Sequence, residues 1–455
     1  MSWIDRLLPL RNRASARTTV QPRFVFRPAA AAVAEPEADE FPRFQITAGD
    51  QLDPRKADEF ALIRSRLRNA YTPAQPVTDR RMFAGRTKLM TTLIRLIEDQ
   101  RLHTVIYGER GIGKTSLLQV LAKAAVDARY LVVYVTCGAR SEFDETFRTI
   151  SGHIPLMYHS AYGPTSVEGE RGDTLATLLD HDPVSVRVAA NALAKIEGTR
   201  VLVILDEFDR ADSADFRRSI AEMLKSLSDQ SVRVQFIIAG VAANLTELVD
   251  NVPSIQRNVY AMRVPKMTAA EIRSIVKNGE TISELHFDEA AIHAIIARCM
   301  GFPYLATLLS HRAALMALDE NRLLVNAADV AFATEEAVEE FKGRISRRSQ
   351  QQIAALVKKG NLAVLGALAG AAQSTGGWFS AEDIAAARAD AGALVDAKAF
   401  AERLAESRTL IESGDDGHGP GYRFIEPTVP VYLWLLAAKG QFFDHEAPEL
   451  EREAV

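Results

Sequence analysis

Apolar runs alternate with longer amphipathic segments over the middle of the chain, and this alternation predicts a parallel β-sheet. The segment Ser213–Ser228 is the clearest helix, because its apolar residues recur three and four positions apart. Strands are predicted at Thr104–Tyr107, Leu131–Val135, Val201–Leu205, Val232–Ala239 and Tyr260–Val264. Strands that alternate with helices in this way indicate an α/β fold with a doubly wound parallel sheet.

The pattern becomes helical throughout from Thr268. Thr268-Ala269-Ala270-Glu271 has the form of a capping box, in which the first and last side chains each accept a backbone N–H. Helices are predicted at 269–278, 288–299, 303–318 and 327–358. Gly301-Phe302-Pro303 separates the second helix from the third. This region is predicted to be a small helical lid.

The last part of the chain combines helices with a hairpin. Helices are predicted at 361–372, 380–389 and 396–408. A strand at Leu410–Glu412, a turn rich in Gly and Asp and a second strand at Tyr422–Ile425 follow them. Three helices and a hairpin in this order predict a winged-helix domain.

One loop carries the strongest chemical signal in the sequence. Residues 108–115 read G-x-x-x-x-G-K-T between a predicted strand and a predicted helix, which is the context of a loop that cradles phosphates. Its glycines let backbone N–H groups approach phosphate oxygens, and the helix dipole favours the same anion. Lys114 should reach the β- and γ-phosphates, and the Thr115 hydroxyl should ligate Mg²⁺. The predicted nucleotide-binding residues here are Gly108, Glu109, Arg110, Gly111, Ile112, Gly113, Lys114, Thr115 and Ser116.

A pair of acidic residues ends the third predicted strand. Asp206-Glu207 directly follows the apolar run Val201–Leu205, so both carboxylates are expected at the carboxyl edge of the sheet, where ligands bind in open α/β folds. Asp206 is expected to hold Mg²⁺, directly or through water, and Glu207 to activate the attacking water. Together with Lys114, Glu207 is a predicted catalytic residue, and the predicted ligands are ATP and Mg²⁺.

These patterns divide the chain into segments. We predict a disordered N-terminal tail at 1–50, a P-loop ATPase core with an N-terminal strap at 51–266, a helical lid at 267–359, a winged-helix domain at 360–440 and a tail at 441–455. The strap is Thr72-Pro73-Ala74-Gln75-Pro76, whose prolines favour an extended chain. The first tail is rich in Ala, Pro and Arg and has few apolar anchors, which is typical of disorder.

Composition narrows the classes of function. The chain has 455 residues, a net charge of −5 and a pI of about 6.1, which give no general support for nucleic-acid binding. Cys137 and Cys299 are its two cysteines, which argues against a disulfide framework and favours a reducing, cytoplasmic location. No stretch approaches the roughly 18 apolar residues that a membrane span requires.

The set of phosphate loop, Leu205-Asp206-Glu207, helical lid and terminal winged helix resembles AAA+ ATPases of the origin-recognition and archaeal-ATPase type. It is also similar to the related STAND ATPases, which carry a G-R pair before the first strand, as in Phe83-Ala84-Gly85-Arg86 here. The resemblance implies that Phe83 and Pro303 pack on the adenine. It also implies that Thr136 is a polar switch that holds the catalytic glutamate.

Arg257 falls where the family often has an arginine finger, a catalytic residue that acts on a neighbouring subunit and so implies a nucleotide-dependent homo-oligomer. The alternative is a surface arginine or a local salt bridge. Two sensors of the family are missing. The fourth strand ends at Gly240-Val241 without a polar residue, and Tyr304 stands where origin-type ATPases often carry an arginine. These departures favour a slow switch.

Three functions are compatible with these features. The first is an ATP-binding, slowly hydrolysing switch that engages a protein partner through its lid and winged helix. The second is a DNA-binding ATPase of the origin-recognition or transposition-helper kind, and the third is a nucleotide-binding scaffold without turnover. Charge favours the first, because the predicted recognition helix is mixed in sign and the wing turn carries Asp415 and Asp416. In the second alternative, the residues that would contact DNA are Lys342, Arg344, Arg347 and Arg348.

Overall fold

The computed structural model describes residues 59–78, 80–179, 182–230, 232–241, 259–375, 377–389, 397–415 and 420–445. All of these residues belong to one structural unit, Pro54–Val455. The tail predicted at 1–50 and Arg257 lie outside the described residues, and so does the end of the predicted C-terminal tail, from residue 446.

Five parallel strands form the central sheet in the order β2-β3-β4-β1-β5. They are β1 His103–Tyr107, β2 Leu131–Thr136, β3 Val201–Asp206, β4 Val234–Gly240 and β5 Val259–Arg263. The predicted parallel sheet is therefore confirmed, with strand ends that differ by one or two residues. Parallel neighbours need long crossovers, and the helices between the strands supply them.

Helices cover both faces of the sheet, as the uninterrupted apolar strands require. The helices before and between the strands are α2 Thr87–Arg95, α3 Lys114–Asp127, α4 Phe143–Gly152, α5 Val167–Arg171, α6 Val186–Ala194 and α7 Ala214–Asp229, of which the short α5 has no buried residue. On one face Leu202 and Ile204 of β3 belong to a core with Leu117 of α3. On the other face Val203 and Leu205 belong to a core with the inner sides of α6 and α7. Successive residues of β3 thus alternate between two cores.

Five helices follow the sheet, where the lid is predicted. They are α8 Ala269–Ser283, α9 Glu289–Cys299, α10 Pro303–Asp319, α11 Ala327–Gly343 and α12 Arg347–Lys358. The capping box at Thr268 and Glu271 is formed. A short parallel pair, β6 His286–Phe287 and β7 Leu324–Val325, joins the loops between them.

The helix predicted over 327–358 is two helices. Ser346 begins α12, because its side chain accepts the backbone N–H of Ser349. Such a serine cap competes with continuation of the preceding helix.

The C-terminal module comprises helices and one hairpin. Its elements are α13 Leu362–Thr375, α14 Ala381–Ala389, α15 Ala397–Ser407, β8 Ile411–Asp415, β9 Pro420–Phe424 and α16 Val429–His445. The strands β8 and β9 pair antiparallel, and Phe379 forms a further bridge to Tyr422. The order of elements agrees with a winged helix, which stays a prediction. Across the described residues, no helix is both long enough and apolar enough to cross a membrane.

The first described helix, α1 Glu59–Ala70, packs on α8 and α10. At its end the buried Tyr71 hydroxyl donates to the carbonyl oxygen of Val276 at 2.8 Å. A Cβ added at Gly279 would lie 2.0 Å from the Cζ atom of Tyr71. The tyrosine ring therefore occupies the space that a side chain on Gly279 would need, and this contact sets how closely α1 approaches α8.

We predict that Gly279→Ala destabilises the fold by about 1–3 kcal/mol, because overpacking displaces a buried and hydrogen-bonded ring. Gly343→Ala is the matched control, since a Cβ at Gly343 of α11 would meet no atom within 4 Å. Removing a helical glycine there should leave stability unchanged or raise it by about 0.5–1 kcal/mol. Urea unfolding measures both variants, and equal midpoints would contradict the packing argument.

Candidate functional site

The phosphate loop connects β1 to α3 at the carboxyl edge of the sheet. Gly113 precedes α3 with φ of 89°, and Gly111 has φ of 77°. Both values lie in the left-handed region that side chains with a Cβ rarely adopt. A Cβ at Gly113 would also lie 3.0 Å from Nη1 of Arg86 and 3.3 Å from Cγ of Pro303. The loop therefore needs glycine at this point, and α3 presents its N-terminal amides to the same space.

The Lys114 side chain folds back and contacts the start of this loop. Its Nζ donates to the carbonyl oxygens of Gly108 and Glu109, both at 2.8 Å. Burial lowers the pKa of the lysine to about 8, and the carboxylates of Asp209, Asp206 and Glu109 oppose that shift. Two of the three ammonium donors are used in this way, so the contacts position the charge at the loop and leave one donor for a phosphate oxygen.

Asp206 is the buried carboxylate of the site, with 3% of its surface exposed. The Tyr134 hydroxyl donates to its Oδ2 at 2.7 Å, and the backbone N–H of Glu207 donates to its Oδ1 at 2.8 Å. Thr115 lines the same cavity as Asp206. A carboxylate, a hydroxyl and the phosphate oxygens of a bound nucleotide form the oxygen donor set that Mg²⁺ prefers. The residues therefore fit the predicted metal site.

No cluster of three or more His, Cys, Asp or Glu side chains suited to a metal occurs in the described part of the chain. A magnesium ion bound here would thus depend on phosphate oxygens as well as on Asp206 and Thr115, which is the usual arrangement for this ion.

Glu207 follows Asp206 in a left-handed conformation, with φ of 55°. Its half-exposed carboxylate pairs with the guanidinium of Arg210 at 2.9 Å. Thr136, the implied polar switch, lies exposed at the end of β2, where it is paired in register with Asp206. Glu207 thus lines the same cavity as Asp206, and its carboxylate pairs with Arg210.

A cavity of about 790 Å³ brings these groups together, within the size range of pockets that hold small ligands and cofactors. The strap forms one wall, and its end is tied to α3, since the Val77 N–H donates to Oγ of Ser116 at 3.0 Å. The predicted site residues among its lining are Phe83, Arg110, Gly111, Gly113, Lys114, Thr115, Ser116, Asp206, Glu207 and Pro303.

Three residues of the predicted loop set do not line the cavity and have other contacts. Ile112 is fully buried in the core, while Gly108 and Glu109 offer their carbonyl oxygens to Lys114. Burial raises the pKa of the Glu109 carboxyl, and the nearby charges of Lys266 and Arg263 oppose this.

Arg86 lines the cavity. The predicted site residues do not include it, although it belongs to the motif Phe83-Ala84-Gly85-Arg86. Its backbone N–H donates to Oε1 of Glu271 at 2.8 Å, and its Nη2 donates to the carbonyl oxygen of Pro265 at 3.2 Å. Burial lowers its pKa to about 10, which the charge of Glu271 opposes. Its buried Nε has no hydrogen-bond partner within the described protein. A buried guanidinium beside the phosphate loop suits an anionic ligand.

Asp209 is a second omitted wall residue. Its Oδ1 accepts the backbone N–H of Val241 at 2.7 Å, directly after β4. A carboxylate from the turn after β3 therefore occupies the end of β4, where the family resemblance leads one to expect a polar sensor. The sequence feature that could have indicated Asp209 is its spacing from Asp206, because one short turn brings both residues to the carboxyl edge of the sheet.

Tyr304 of the helical region lines the same cavity as Gly111 of the phosphate loop. A Cβ at Gly111 would lie 3.6 Å from the Cβ of Tyr304. The Tyr304 hydroxyl accepts from Nη1 of Arg344 at 3.3 Å. Arg344, directly after α11, is thus hydrogen-bonded to the residue that stands where a sensing arginine is expected.

A phosphate loop on β1, an acidic end of β3 and a helical segment that closes the cavity define a P-loop ATPase. The family model of the novel STAND NTPase 1 proteins matches residues 74–418, and the chain belongs to this family. Comparison with curated proteins gives no significant match.

Several solved structures align with this chain over most of their own length. Cdc6p from Pyrobaculum aerophilum has 14% sequence identity and a TM-score of 0.45, covering 82% of this chain and 98% of its own. The Walker-type ATPase of Pyrococcus abyssi has 16% identity and a TM-score of 0.46, covering 79% and 98%. The Aeropyrum pernix ORC2 protein has 18% identity and a TM-score of 0.39, covering 82% and 100%.

We expect Lys114→Ala to lose most of its ATP affinity and to keep its fold, because the substitution removes the main side-chain charge at the β- and γ-phosphates. Lys123→Ala removes an exposed lysine from the same helix and serves as the control. Calorimetric titration with ATP compares the two, and circular dichroism verifies folding. Wild-type affinity in the Lys114 variant would refute the site assignment.

Proposed function

We propose that this protein is a slowly hydrolysing ATP switch, in which the bound nucleotide controls how the lid holds the C-terminal module and thereby engages a protein partner. The observation that carries the proposal is a route from the cavity through the Tyr304–Arg344 hydrogen bond and along the chain to Ser346, which is hydrogen-bonded to Glu426 of the module.

The chemistry of the proposal follows from the side chains at the sheet edge. Lys114 and the amides of the loop hold the β- and γ-phosphates, and Arg86 adds a buried positive charge to the wall. Asp206 and Thr115 would hold Mg²⁺, which when bound neutralises phosphate charge. Glu207 orients the attacking water and accepts its proton. Phe83 and Pro303, both in the cavity wall, would contact the adenine.

Slow turnover agrees with two features of the site. The Glu207 carboxylate pairs with Arg210, so this contact must break before the glutamate can accept a proton from water. The end of β4 contributes a glycine and a valine, with the Asp209 carboxylate bonded to the backbone there. A second carboxylate at this point does not supply the donor that would orient water or stabilise the negative charge of the transition state.

Glu207→Gln is predicted to bind ATP with nearly unchanged affinity and to hydrolyse it about 10²–10⁴-fold more slowly, because the amide keeps the shape and loses the base. Glu222→Gln, at an exposed position of α7, controls for the loss of an acidic charge. Phosphate release under single-turnover conditions gives the rate. Turnover at the parental rate would reject Glu207 as the base, and a parent without turnover would favour the scaffold alternative.

The proposed link between nucleotide and module begins at Tyr304, which lines the cavity beside the phosphate loop and is hydrogen-bonded to Arg344. Arg344 follows α11 and is separated by one residue from Ser346, the cap of α12. The N–H of Ser346 donates to Oε2 of Glu426 at 2.9 Å, and its hydroxyl donates to Oε1 at 2.6 Å. Ser349 Oγ donates to the same Oε1 at 2.6 Å. A carboxylate of the module therefore caps a helix of the lid, which the helix dipole stabilises.

Other contacts hold the module against the lid. The indole N–H of Trp434 on α16 donates to the carbonyl oxygen of Arg298 at 3.0 Å. The Lys439 ammonium pairs with Glu335 of α11 at 3.0 Å. These polar contacts add to apolar packing, because buried residues of the lid and of the module belong to one core. The module is therefore expected to move together with the lid.

DNA binding is the second candidate, and four of the basic side chains that it could use are paired with carboxylates, while Arg347 and Arg348 are exposed. Lys398 pairs with Glu402 on the predicted recognition helix, and Arg423 pairs with Glu412 across the hairpin. In the basic run at the end of α11, Lys342 pairs with Glu339 and Arg344 with Glu340. Lysines and arginines that are neutralised by neighbouring carboxylates release fewer counterions from DNA, so the protein-partner function is favoured.

A non-hydrolysable ATP analogue is predicted to raise hydrogen exchange at the start of α12 relative to ADP, because movement at Tyr304 would loosen the Glu426 cap. Glu426→Gln should raise exchange at residues 346–350 with either nucleotide. Glu412→Gln, which alters an ion pair within the hairpin, is the matched control and should leave α12 protected. Identical exchange with ADP and the analogue would contradict the switch, and light scattering on the same samples would detect nucleotide-dependent assembly.

A further inference from the structure

Asp206 is held by neutral groups on both of its oxygens. The donors are the Tyr134 hydroxyl at 2.7 Å and the backbone N–H of Glu207 at 2.8 Å. Neutral donors stabilise a buried carboxylate without cancelling its charge. Each oxygen keeps a further acceptor site. The arrangement thus fixes the orientation of the carboxylate and preserves its attraction for a cation.

Strand register explains how Tyr134 reaches this position. In the β2–β3 pair, Thr136 lies opposite Asp206, and Tyr134 lies opposite Ile204. The period of two along a strand places Tyr134, Thr136 and Asp206 on one face of the sheet, the face covered by α3. The short threonine is exposed at the strand end. The longer tyrosine reaches diagonally from its own position on β2 to Asp206 on β3 and donates a hydrogen bond to the carboxylate.

The tyrosine is itself fixed. Its ring packs at the edge of the core that contains Leu117 and Ile204. Its hydroxyl donates to Oδ2 of Asp206 at 2.7 Å, and the Gln119 side chain of α3 is a further hydrogen-bond partner of this hydroxyl. Helix α3 also carries Thr115, so one packed unit holds both proposed magnesium ligands.

We propose that Tyr134 is a positioning residue of the magnesium site, which holds the Asp206 carboxylate in the orientation that receives the ion. The inference rests on the proposed role of Asp206. Groups that hydrogen-bond to metal ligands typically contribute about 10–100-fold to metal affinity or activity. Tyr134 should therefore act on magnesium-dependent steps and have little effect on the contacts that the nucleotide makes with the loop.

Tyr134→Phe tests the proposal, since it removes one oxygen and keeps the ring. ATP binding is measured by calorimetry in EDTA and in a magnesium series, with circular dichroism as a check on folding. We expect ATP affinity in EDTA within about 2-fold of the parent, and a half-saturating Mg²⁺ concentration raised by about 10–100-fold. Tyr158→Phe is the control, because Tyr158 is a partly buried tyrosine that does not line the cavity.

A parental magnesium response in Tyr134→Phe would overturn the inference. A folded variant that loses ATP affinity equally in EDTA and in magnesium would also overturn it, because the tyrosine would then support the whole cavity. Asp206→Asn separates this inference from the proposed function. If Asp206→Asn shifts the magnesium response and Tyr134→Phe does not, only the role of the tyrosine fails. If Asp206→Asn shifts nothing, the magnesium site itself is misplaced.

Discussion

The position of β4 between β1 and β3 is the constraint on which the site depends. The phosphate loop follows β1 and Asp206 ends β3, and the strand order places one strand between them. Two inter-strand spacings make this gap roughly 10 Å wide, which is enough for phosphate groups and a hydrated ion. Because β4 ends in Gly240, no side chain of that residue fills the gap. Topology thus creates a crevice with amides and a lysine on one side and carboxylates on the other.

The charges of this crevice explain why its groups are tied to the protein. Lys114 is buried, and burial lowers its pKa to about 8 while Asp209, Asp206 and Glu109 oppose the shift. Carbonyl oxygens of the loop hold the ammonium, neutral donors hold Asp206, and Arg210 holds Glu207. Each charge therefore has a local partner. A nucleotide with its cation can compete for the lysine and the acids together, since it brings both signs of charge.

Those parts of the molecule that depend on local sequence could be predicted. The strands follow from apolar runs, the loop from a motif, and the cap at Thr268 from four residues. The missed features depend on distant pairs. The bond between Tyr134 and Asp206 requires the register of two strands, and the place of Arg86 requires the lid residue Glu271 to hold its backbone. The sequence places Thr136 at the end of a strand and so close to the acidic pair. It does not show which side chain of that strand is long enough to reach a carboxylate.

The boundary of the core and the lid shows how a change at the crevice could reach the rest of the chain. Gly301 has φ of 75°, and a Cβ there would lie 2.6 Å from the carbonyl oxygen of Met267. The Lys266 ammonium lies 4.5 Å from the ring centroid of Phe302. Close packing at these residues leaves little room for independent motion.

A displacement of Pro303 or Tyr304 by a ligand would therefore move α10 as a body. Helix α11 packs on α10, and α16 packs on α11. The Glu426 cap at α12 lies on the same route, between the lid and the hairpin of the module. The proposed coupling thus needs no long flexible connection, because one packed set of helices joins the wall of the cavity to the C-terminal module.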